Sequence, residues 1–315
     1  MPALPPDDPY VLDCRGRPLD GRRAVHVVGV LNVTPDSFSD GGRHTTVDAA
    51  LARAEAMAEE GAAVIDVGGE STRPAGRTYG AGATPVSASE EIRRVVPVVE
   101  AIARRLPHVL ISVDTYKGEV ARAALRAGAH LVNDVSGLRD GVGTARAAAD
   151  YGAPLVVMHA LGRPGGMPHE HAYDDVVEEV AESLSRSVQR AEAEGVRDVV
   201  VDPGFGFGKT PEENLRLIAR VDRFHSLGRP VLVGVSRKST VGVVLGSAER
   251  PAPVGERLYG SLGLAALATV RGAALVRTHD VRPTVELLTA IRAAQDAADP
   301  GPHNAEAPSR REGVA

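Results

Sequence analysis

Polar and ionisable side chains recur at the carboxyl ends of short apolar segments in this sequence of 315 residues. The segments are β-branched and almost uninterrupted by polar residues, as parallel strands covered on both faces require. The side chains that close them are Asn32, Asp66, Glu70, Asp114, Asn133, Asp134, His159, Asp202, Ser236, Arg237, Lys238, Arg277, His279 and Asp280. Gathered at one place, such groups would form a polar pocket with both anion-binding and cation-binding functions.

Helical patterns separate the apolar segments. The apolar segments must position the polar side chains at their carboxyl ends. The segments occupy residues 25–33, 62–69, 110–115, 131–136, 154–159, 198–204, 230–236 and 273–280. Eight strands that alternate with helices predict a single α/β domain, a (β/α)8 TIM barrel over residues 25–297, with its site at the carboxyl ends of the strands. The alternative is an open doubly wound sheet, which we do not favour because no GxGxxG motif follows the first strand.

The two ends of the chain differ in composition from the body. Residues 1–24 are rich in proline, glycine and charge and predict a short hairpin or tail over one end of the barrel. Residues 298–315 lack apolar periodicity, which predicts a disordered tail. The net charge of −5, the 3% of aromatic residues and the absence of tryptophan argue against nucleic acid as a partner.

Membrane and export signals are also missing from the sequence. No apolar run reaches the roughly 18 residues that span a bilayer, and the first residues lack the pattern of a secretory signal. We therefore expect a cytoplasmic protein without a membrane partner. The single cysteine, Cys14, leaves no intrachain disulfide and no cysteine-rich metal site.

Two long polar loops follow the first two strands, at residues 34–45 and 70–89, and both are candidate lids over the barrel mouth. The segment DPGFGFGKT at 202–210 departs from the phosphate-binding GxxxxGK[ST] pattern, so its glycines instead predict a tight turn that places Phe207 over a ligand.

The histidines form no HExxH motif, which argues against zinc. Asn32 beside a substrate diphosphate would suit Mg²⁺, an ion that prefers oxygen ligands and keeps bound waters.

Together the motifs resemble those of the dihydropteroate synthases, a family of pterin-binding barrel enzymes. They are GVLNVTPDSFSDGG (29–42), IDVGGESTRP (65–74), ISVDTYK (111–117), LVNDVSG (131–137), VMH (157–159), DPGFGFGKT (202–210), GVSRKS (234–239) and RTHDV (277–281). They occur in order and cover residues 25–295.

The resemblance implies a folate-pathway transferase that joins 6-hydroxymethyl-7,8-dihydropterin diphosphate to p-aminobenzoate and releases pyrophosphate. It implies a homodimer that uses Mg²⁺ at Asn32 and is a target of sulfonamides. Catalytic roles would fall to Asp36, Phe38, Arg73, Lys238, Arg277 and His279, with Ser37 in the same first loop. Substrate would be bound by Thr72, Pro74, Asp114, Asn133, Met158, Asp202, Phe207, Lys238, Ser239, Arg277 and His279.

Two alternatives stay open at this point. One is a catalytically impaired pterin-binding paralogue, although Asn32, Arg73, Lys238, Arg277 and His279 are all present. The other is a pterin-dependent methyltransferase of the same barrel family, against which the segments SRKS and TPDSF argue. The second loop and the segment after VMH both depart from the family pattern, so the rim of the site and the response to sulfonamides stay open.

Overall fold

The apolar segments fold into the strands of a parallel barrel in the computed structural model, which describes residues 11–21, 24–34, 43–70, 85–162 and 173–298. Within these ranges one eight-stranded sheet has, in spatial order, the strands β8 (Val199–Asp202), β7 (Leu155–Met158), β6 (Leu131–Asp134), β5 (Leu110–Asp114), β4 (Val64–Gly68), β3 (His26–Asn32), β10 (Leu275–Thr278) and β9 (Leu232–Val233). The strands at the two ends of this order, β8 and β9, are joined by a parallel bridge between Val201 and Val231, which closes the barrel. The predicted (β/α)8 fold is therefore confirmed.

The strands are β1 (Val11–Asp13), β2 (Pro18–Asp20), β3 (His26–Asn32), β4 (Val64–Gly68), β5 (Leu110–Asp114), β6 (Leu131–Asp134), β7 (Leu155–Met158), β8 (Val199–Asp202), β9 (Leu232–Val233) and β10 (Leu275–Thr278). The helices are α1 (Arg43–Glu59), α2 (Ala88–Arg105), α3 (Gly118–Ala127), α4 (Gly143–Tyr151), α5 (Val176–Ala193), α6 (Pro211–Ala219), α7 (Ser239–Leu245), α8 (Leu258–Val270) and α9 (Val281–Ala298). Beyond Ala298, the predicted tail lies outside the described residues.

Local sequence explains how the helices start and stop between the strands. Ser87 caps α2, where its hydroxyl accepts a hydrogen bond from the Glu90 N–H at 3.2 Å. Gly128 ends α3 with φ of 117°, a conformation that favours glycine. Such ends turn the chain sharply from each helix into the next buried strand.

The hairpin of β1 and β2 closes the amino-terminal end of the barrel. Its side chains Leu12, Cys14 and Leu19 are buried and form one cluster with residues from the barrel strands, which are Val28, Val64, Leu110, Leu131, Val156, Val200, Leu232 and Leu275. The Arg15 guanidinium fixes the hairpin from the side by donating to the carbonyl oxygens of Leu125 and Ala129. The opposite end of the barrel, where the strands finish, holds the polar residues.

None of the described helices has the length and apolar character that crossing a membrane requires.

The hairpin should contribute measurably to stability. We expect Leu12→Ala to lower the free energy of unfolding by about 2–5 kcal/mol, because Leu12 is 5% exposed and fills the barrel end. The neighbouring Val11 is 38% exposed, so Val11→Ala should change it by no more than about 0.5 kcal/mol. Urea unfolding of the two variants checks this, and equal effects would show that the hairpin does not act as a plug.

Candidate active site

The carboxyl ends of the strands bring acidic, amide and basic side chains together at one end of the barrel. Asp114, Asn133 and Asp202 are the last or next-to-last residues of their strands and are buried. Asp66 lies two residues before the end of β4 and is 1% exposed. Arg277 on β10 supplies the matching positive charge. Parallel strands in a closed barrel make this convergence unavoidable, since all of their carboxyl ends share one rim.

Arg277 bridges two of the buried carboxylates. Its Nε donates to Asp66 Oδ2 at 2.7 Å, and its Nη2 donates to Asp114 Oδ2 at 2.8 Å. Asn133 Nδ2 donates to the same Asp66 oxygen at 2.9 Å. Burial works against the Arg277 charge, but the two carboxylates outweigh it and raise the Arg277 pKa above its ordinary value. The guanidinium is therefore a permanent cation that orders this side of the site.

Two carboxylate oxygens of this cluster are left for a ligand. Asp66 Oδ1 and Asp114 Oδ1 are buried and have no hydrogen-bond partner among the described residues. Burial raises the pKa of Asp114 to about 7, although the Arg277 charge opposes the shift. Buried acceptors are normally satisfied, so a ligand with N–H donors or ordered water must complete them.

A glycine-rich turn after β8 shapes the opposite side of the site. The Gly204 N–H donates to Asp202 Oδ1 at 2.7 Å and fixes the carboxylate at the strand end. Gly204 has φ of 70°, and a Cβ there would lie 1.7 Å from the His159 carbonyl oxygen, so only glycine is tolerated. Burial raises the Asp202 pKa, and the charge of Lys238 opposes that shift.

The amine of Lys209 stabilises this turn through three hydrogen bonds to carbonyl oxygens. Its Nζ donates to the carbonyl oxygens of Gly204 at 2.9 Å, Phe207 at 3.2 Å and His159 at 3.3 Å. Burial lowers its pKa to about 7, and the charge of Asp202 acts in the other direction. The three carbonyl bonds join the turn to the end of β7.

Lys238, the residue before α7, faces the same space as Asp202. Its Nζ donates to the Phe205 carbonyl oxygen and lies 4.0 Å from the centre of the Phe207 ring, a cation–π contact. Burial lowers the Lys238 pKa to about 7, and Asp202 is the strongest charge that acts against this. The two groups of opposite charge therefore lie close enough at this end of the barrel to affect each other's pKa.

His279 is held as a neutral ring beside the cations. Burial, together with the charges of Arg277 and Arg237, lowers its pKa to about 4. Ser236 Oγ accepts the His279 backbone N–H and lies 3.1 Å from Nδ1. We assign the Ser236 proton to the bond with Nδ1, which leaves the ring proton on Nε2 as a donor. His279 therefore offers a hydrogen bond rather than a positive charge.

Asn32 provides the oxygen expected to bind a metal. It is exposed at the end of β3, and a Cβ on neighbouring Gly68 would lie 3.6 Å from its Oδ1 and 3.7 Å from Asp114 Oδ2. No group of three or more His, Cys, Asp or Glu side chains in the described ranges could hold a metal ion. A single amide oxygen fits Mg²⁺, which takes its other ligands from phosphate and water, and does not fit a metal held by the protein alone.

The remaining predicted residues divide into two groups. Met158 is buried in one cluster with Phe207, and Ser239 begins α7 directly after Lys238. The loop residues lie outside the described ranges, and these are Asp36, Ser37, Phe38, Thr72, Arg73 and Pro74. Most of the second loop, at residues 71–84, and most of the segment after VMH, at residues 163–172, also lie outside the described ranges.

Sequence reasoning missed several supporting residues. It noted Asp66 at a strand end but gave it no role, whereas the structure makes it the main partner of Arg277. Asn214 of α6 accepts from the Gly206 N–H at 2.6 Å and donates to Thr240 Oγ1 at 3.0 Å, which ties the glycine turn to α7. Its spacing from Leu217 and Ile218 places it on the buried face of the helix, a signal that could have identified it.

A half-buried lysine, Lys117, joins the described ends of the second loop. Lys117 Nζ bonds to Glu70 and, at 2.5 Å, to Glu91 Oε2. Glu70 also accepts from the Val86 N–H at 3.2 Å and from the Tyr116 hydroxyl at 2.8 Å. The chain before residue 71 and the chain after residue 84 are therefore fixed to the same cation.

Comparison with known proteins identifies the relatives of this barrel. The family model described as "Pterin binding enzyme" matches residues 28–279. Dihydropteroate synthase of Escherichia coli K12 is 46% identical over 270 residues, which are 85% of this chain and 91% of that protein.

Two solved structures resemble the chain over nearly their whole length. Dihydropteroate synthase of Xanthomonas albilineans with 4-aminobenzoic acid has a TM-score of 0.80 at 46% identity, covering 90% of this chain and 98% of that one. The Yersinia pestis enzyme in complex with a sulfonamide drug has a TM-score of 0.81 at 43% identity, covering 91% and 100%.

The lowered pKa of Lys238 predicts how stability depends on pH. Between pH about 7 and 10.5 the unfolded chain keeps this lysine charged while the folded chain does not, so stability should rise with pH over that range. Lys238→Met removes this contribution and leaves that of Lys209 in place. The difference in unfolding free energy, wild type minus variant, should therefore grow from pH 7 to 10. Urea unfolding at several pH values measures it, and a flat or falling difference would contradict the assignment.

Proposed function

The chain belongs to the family of pterin-binding enzymes, and from that premise we propose that it catalyses the dihydropteroate synthase reaction. It condenses 6-hydroxymethyl-7,8-dihydropterin diphosphate with p-aminobenzoate to give 7,8-dihydropteroate and pyrophosphate, and is a transferase of folate biosynthesis. The observation that supports this most is the convergence of Asp114, Asn133, Asp202, Lys238 and Arg277 on one barrel end, in a chain 46% identical to a dihydropteroate synthase.

Asp202 and Asn133 are suited to the pterin. The pyrimidine edge of a pterin has adjacent N–H donors, which one carboxylate accepts in a bidentate manner. Asn133 adds a donor and an acceptor, and Lys238 can donate to a ring carbonyl. Phe207 and Met158 supply an apolar surface beside these groups.

The diphosphate leaving group requires donors that are already in place. Two Arg277 N–H groups bond to the carboxylates, and the other N–H groups of the guanidinium remain for phosphate oxygens. His279 donates from Nε2 as a neutral ring. Fixed donors in a site of low dielectric stabilise developing negative charge, by about 2.7–4 kcal/mol for each where single deletions have been measured. A Mg²⁺ ion held at Asn32 would neutralise part of the diphosphate charge.

We propose an SN1-like path for the reaction. The C–O bond between the pterin methylene and the diphosphate breaks with its electron pair on the leaving oxygen, and the electron-rich pterin stabilises the cationic methylene. The amine of p-aminobenzoate then forms the C–N bond and releases a proton to water. An arylamine is already a neutral nucleophile, so no side chain needs to act as a general base.

The first and second loops are the proposed site of p-aminobenzoate. Ser239 lies next to Lys238 on the side of α7, and the family pattern adds Asp36, Phe38, Thr72, Arg73 and Pro74. The Yersinia pestis relative is described with a sulfonamide drug, and we propose that sulfonamides compete with p-aminobenzoate here as well. The cytoplasmic location expected from the sequence stays a prediction.

A homodimer is proposed from the surface of α7 and α8. Helix α8, with the sequence LYGSLGLAALATV, has no charged residue and is largely apolar, which is typical of a buried helix. Large apolar side chains are nevertheless exposed on α7, α8 and the short turn between them, and these are Val244, Leu245, Val254, Tyr259, Leu267 and Val270. A second copy of the chain would cover this patch.

Activity is tested by pyrophosphate release with and without p-aminobenzoate. We expect release that depends on both substrates, and a loss of about 100-fold or more in kcat/KM for Asp202→Asn, since the amide turns donors toward the pterin donors. Asp296→Asn, at an exposed site on α9, should retain wild-type activity. A wild-type chain that binds pterin but releases no pyrophosphate would instead be a catalytically impaired paralogue.

Oligomeric state is tested by light scattering at micromolar concentration. We expect a dimer for the wild type and a monomer for Leu267→Glu, because the charge would be buried without a partner. Val11→Glu is the matched control, since Val11 and Leu267 are both 38% exposed. A monomeric wild type, or an unaffected Leu267→Glu dimer, would refute this interface.

A further inference from the structure

Arg237, directly before Lys238, has a backbone conformation that side chains other than glycine rarely adopt. Its φ is 60°, in the left-handed region. A residue persists there only when its surroundings fix it, and such positions concentrate at functional sites. Arg237 itself is exposed and makes a two-point ion pair with Asp280, with Nε 3.0 Å from Oδ2.

Arg257, directly before α8, and Ser261, in the first turns of α8, both bind the main chain of Arg237. The Arg237 N–H donates to Ser261 Oγ at 3.0 Å, and Arg257 Nη1 donates to the Arg237 carbonyl oxygen at 2.9 Å. Ser261 Oγ in turn donates to the Arg257 carbonyl oxygen at 2.8 Å. The main-chain N–H and carbonyl oxygen of Arg237 are thus both bonded to residues within the short stretch 257–261.

The Arg257 side chain is unusual in being buried without an acidic partner. It is 2% exposed, and its Nε donates to the Ala252 carbonyl oxygen at 2.8 Å. No carboxylate of the described residues lies within ion-pair distance of it. Gly242 makes room for the guanidinium, since a Cβ there would lie 2.7 Å from Arg257 Nε. Burying an unpaired cation is unfavourable, which indicates that the contact with Arg237 has a use.

The backbone of Arg237 determines where the side chain of Lys238 points. Lys238 follows with φ of −68° and ψ of 157° and occupies the position directly before α7. Its amine reaches back to the Phe205 carbonyl oxygen and the Phe207 ring. If Arg237 relaxed to negative φ, the chain would rotate about that residue, and the Lys238 amine would leave these partners.

We propose that Arg257 and Ser261 are positioning residues, which hold Arg237 in the left-handed conformation and thereby direct Lys238 at the pterin. This rests on the proposed function, in which Lys238 binds the pterin. Neither residue touches the ligand, so each acts through the peptide groups of Arg237.

Calorimetric titration with 6-hydroxymethylpterin tests the proposal. We expect Arg257→Met to weaken pterin affinity roughly tenfold or more, as a displaced charge-assisted hydrogen bond would. Ser261→Ala should weaken it in the same direction but less, and serves where Arg257→Met does not fold. Arg216→Met, at an exposed ion pair on α6, should bind as the wild type does.

The decisive variant combines Arg257→Met with Arg237→Gly. Glycine adopts positive φ without strain, so the double variant should regain most of the lost affinity, even though its melting temperature stays low. A purely structural role for Arg257 predicts no recovery. Wild-type affinity in folded Arg257→Met and Ser261→Ala, or no recovery in the double variant, would overturn the proposal. A wild-type chain without pterin affinity would overturn the proposed function itself.

Discussion

Two buried carboxylates, Asp66 and Asp114, share the guanidinium of Arg277, and the polar end of the barrel depends on this pairing. Burial raises the pKa of Asp114 to about 7 even though the Arg277 charge opposes the shift, so this carboxyl depends on the guanidinium to stay charged. Removing one partner of such a buried pair generally costs about 3–5 kcal/mol, since a charge is left uncompensated. Asn133 completes the arrangement by donating to Asp66.

The lysine side of the site balances this acidic side. Asp202 interacts electrostatically with the amines of both Lys209 and Lys238. Burial lowers the pKa of each amine to about 7, so small changes in the surroundings decide their charge. The glycine turn makes this possible by letting backbone carbonyls, rather than carboxylates, surround the amines. In the proposed binding mode the N–H donors of the pterin meet Asp202 on the lysine side, and the diphosphate meets Arg277 on the acidic side.

The strands and several site residues could be predicted from the sequence, because a barrel strand is recognised from the few consecutive residues that form it. Continuous apolar runs located the strands, and the polar residue that ends each run located Asp114, Asn133 and Asp202. The partners of these residues could not be predicted in the same way. Arg277 and Asp66 are 211 residues apart, and only closure of the barrel makes them neighbours. Arg257 has no local signal at all, since it contacts backbone atoms that the tertiary fold brings to it.

The buried acceptors of the barrel end should bind the pyrimidine edge of a pterin. A crystal structure of the chain with 6-hydroxymethylpterin tests this most directly. We expect the pyrimidine N–H groups within hydrogen-bond distance of the Asp202 carboxylate, the ring next to Asn133 and Lys238, and the bond from Arg277 to Asp66 intact. A pterin bound elsewhere, or in this cavity without a hydrogen bond to Asp202, would contradict it.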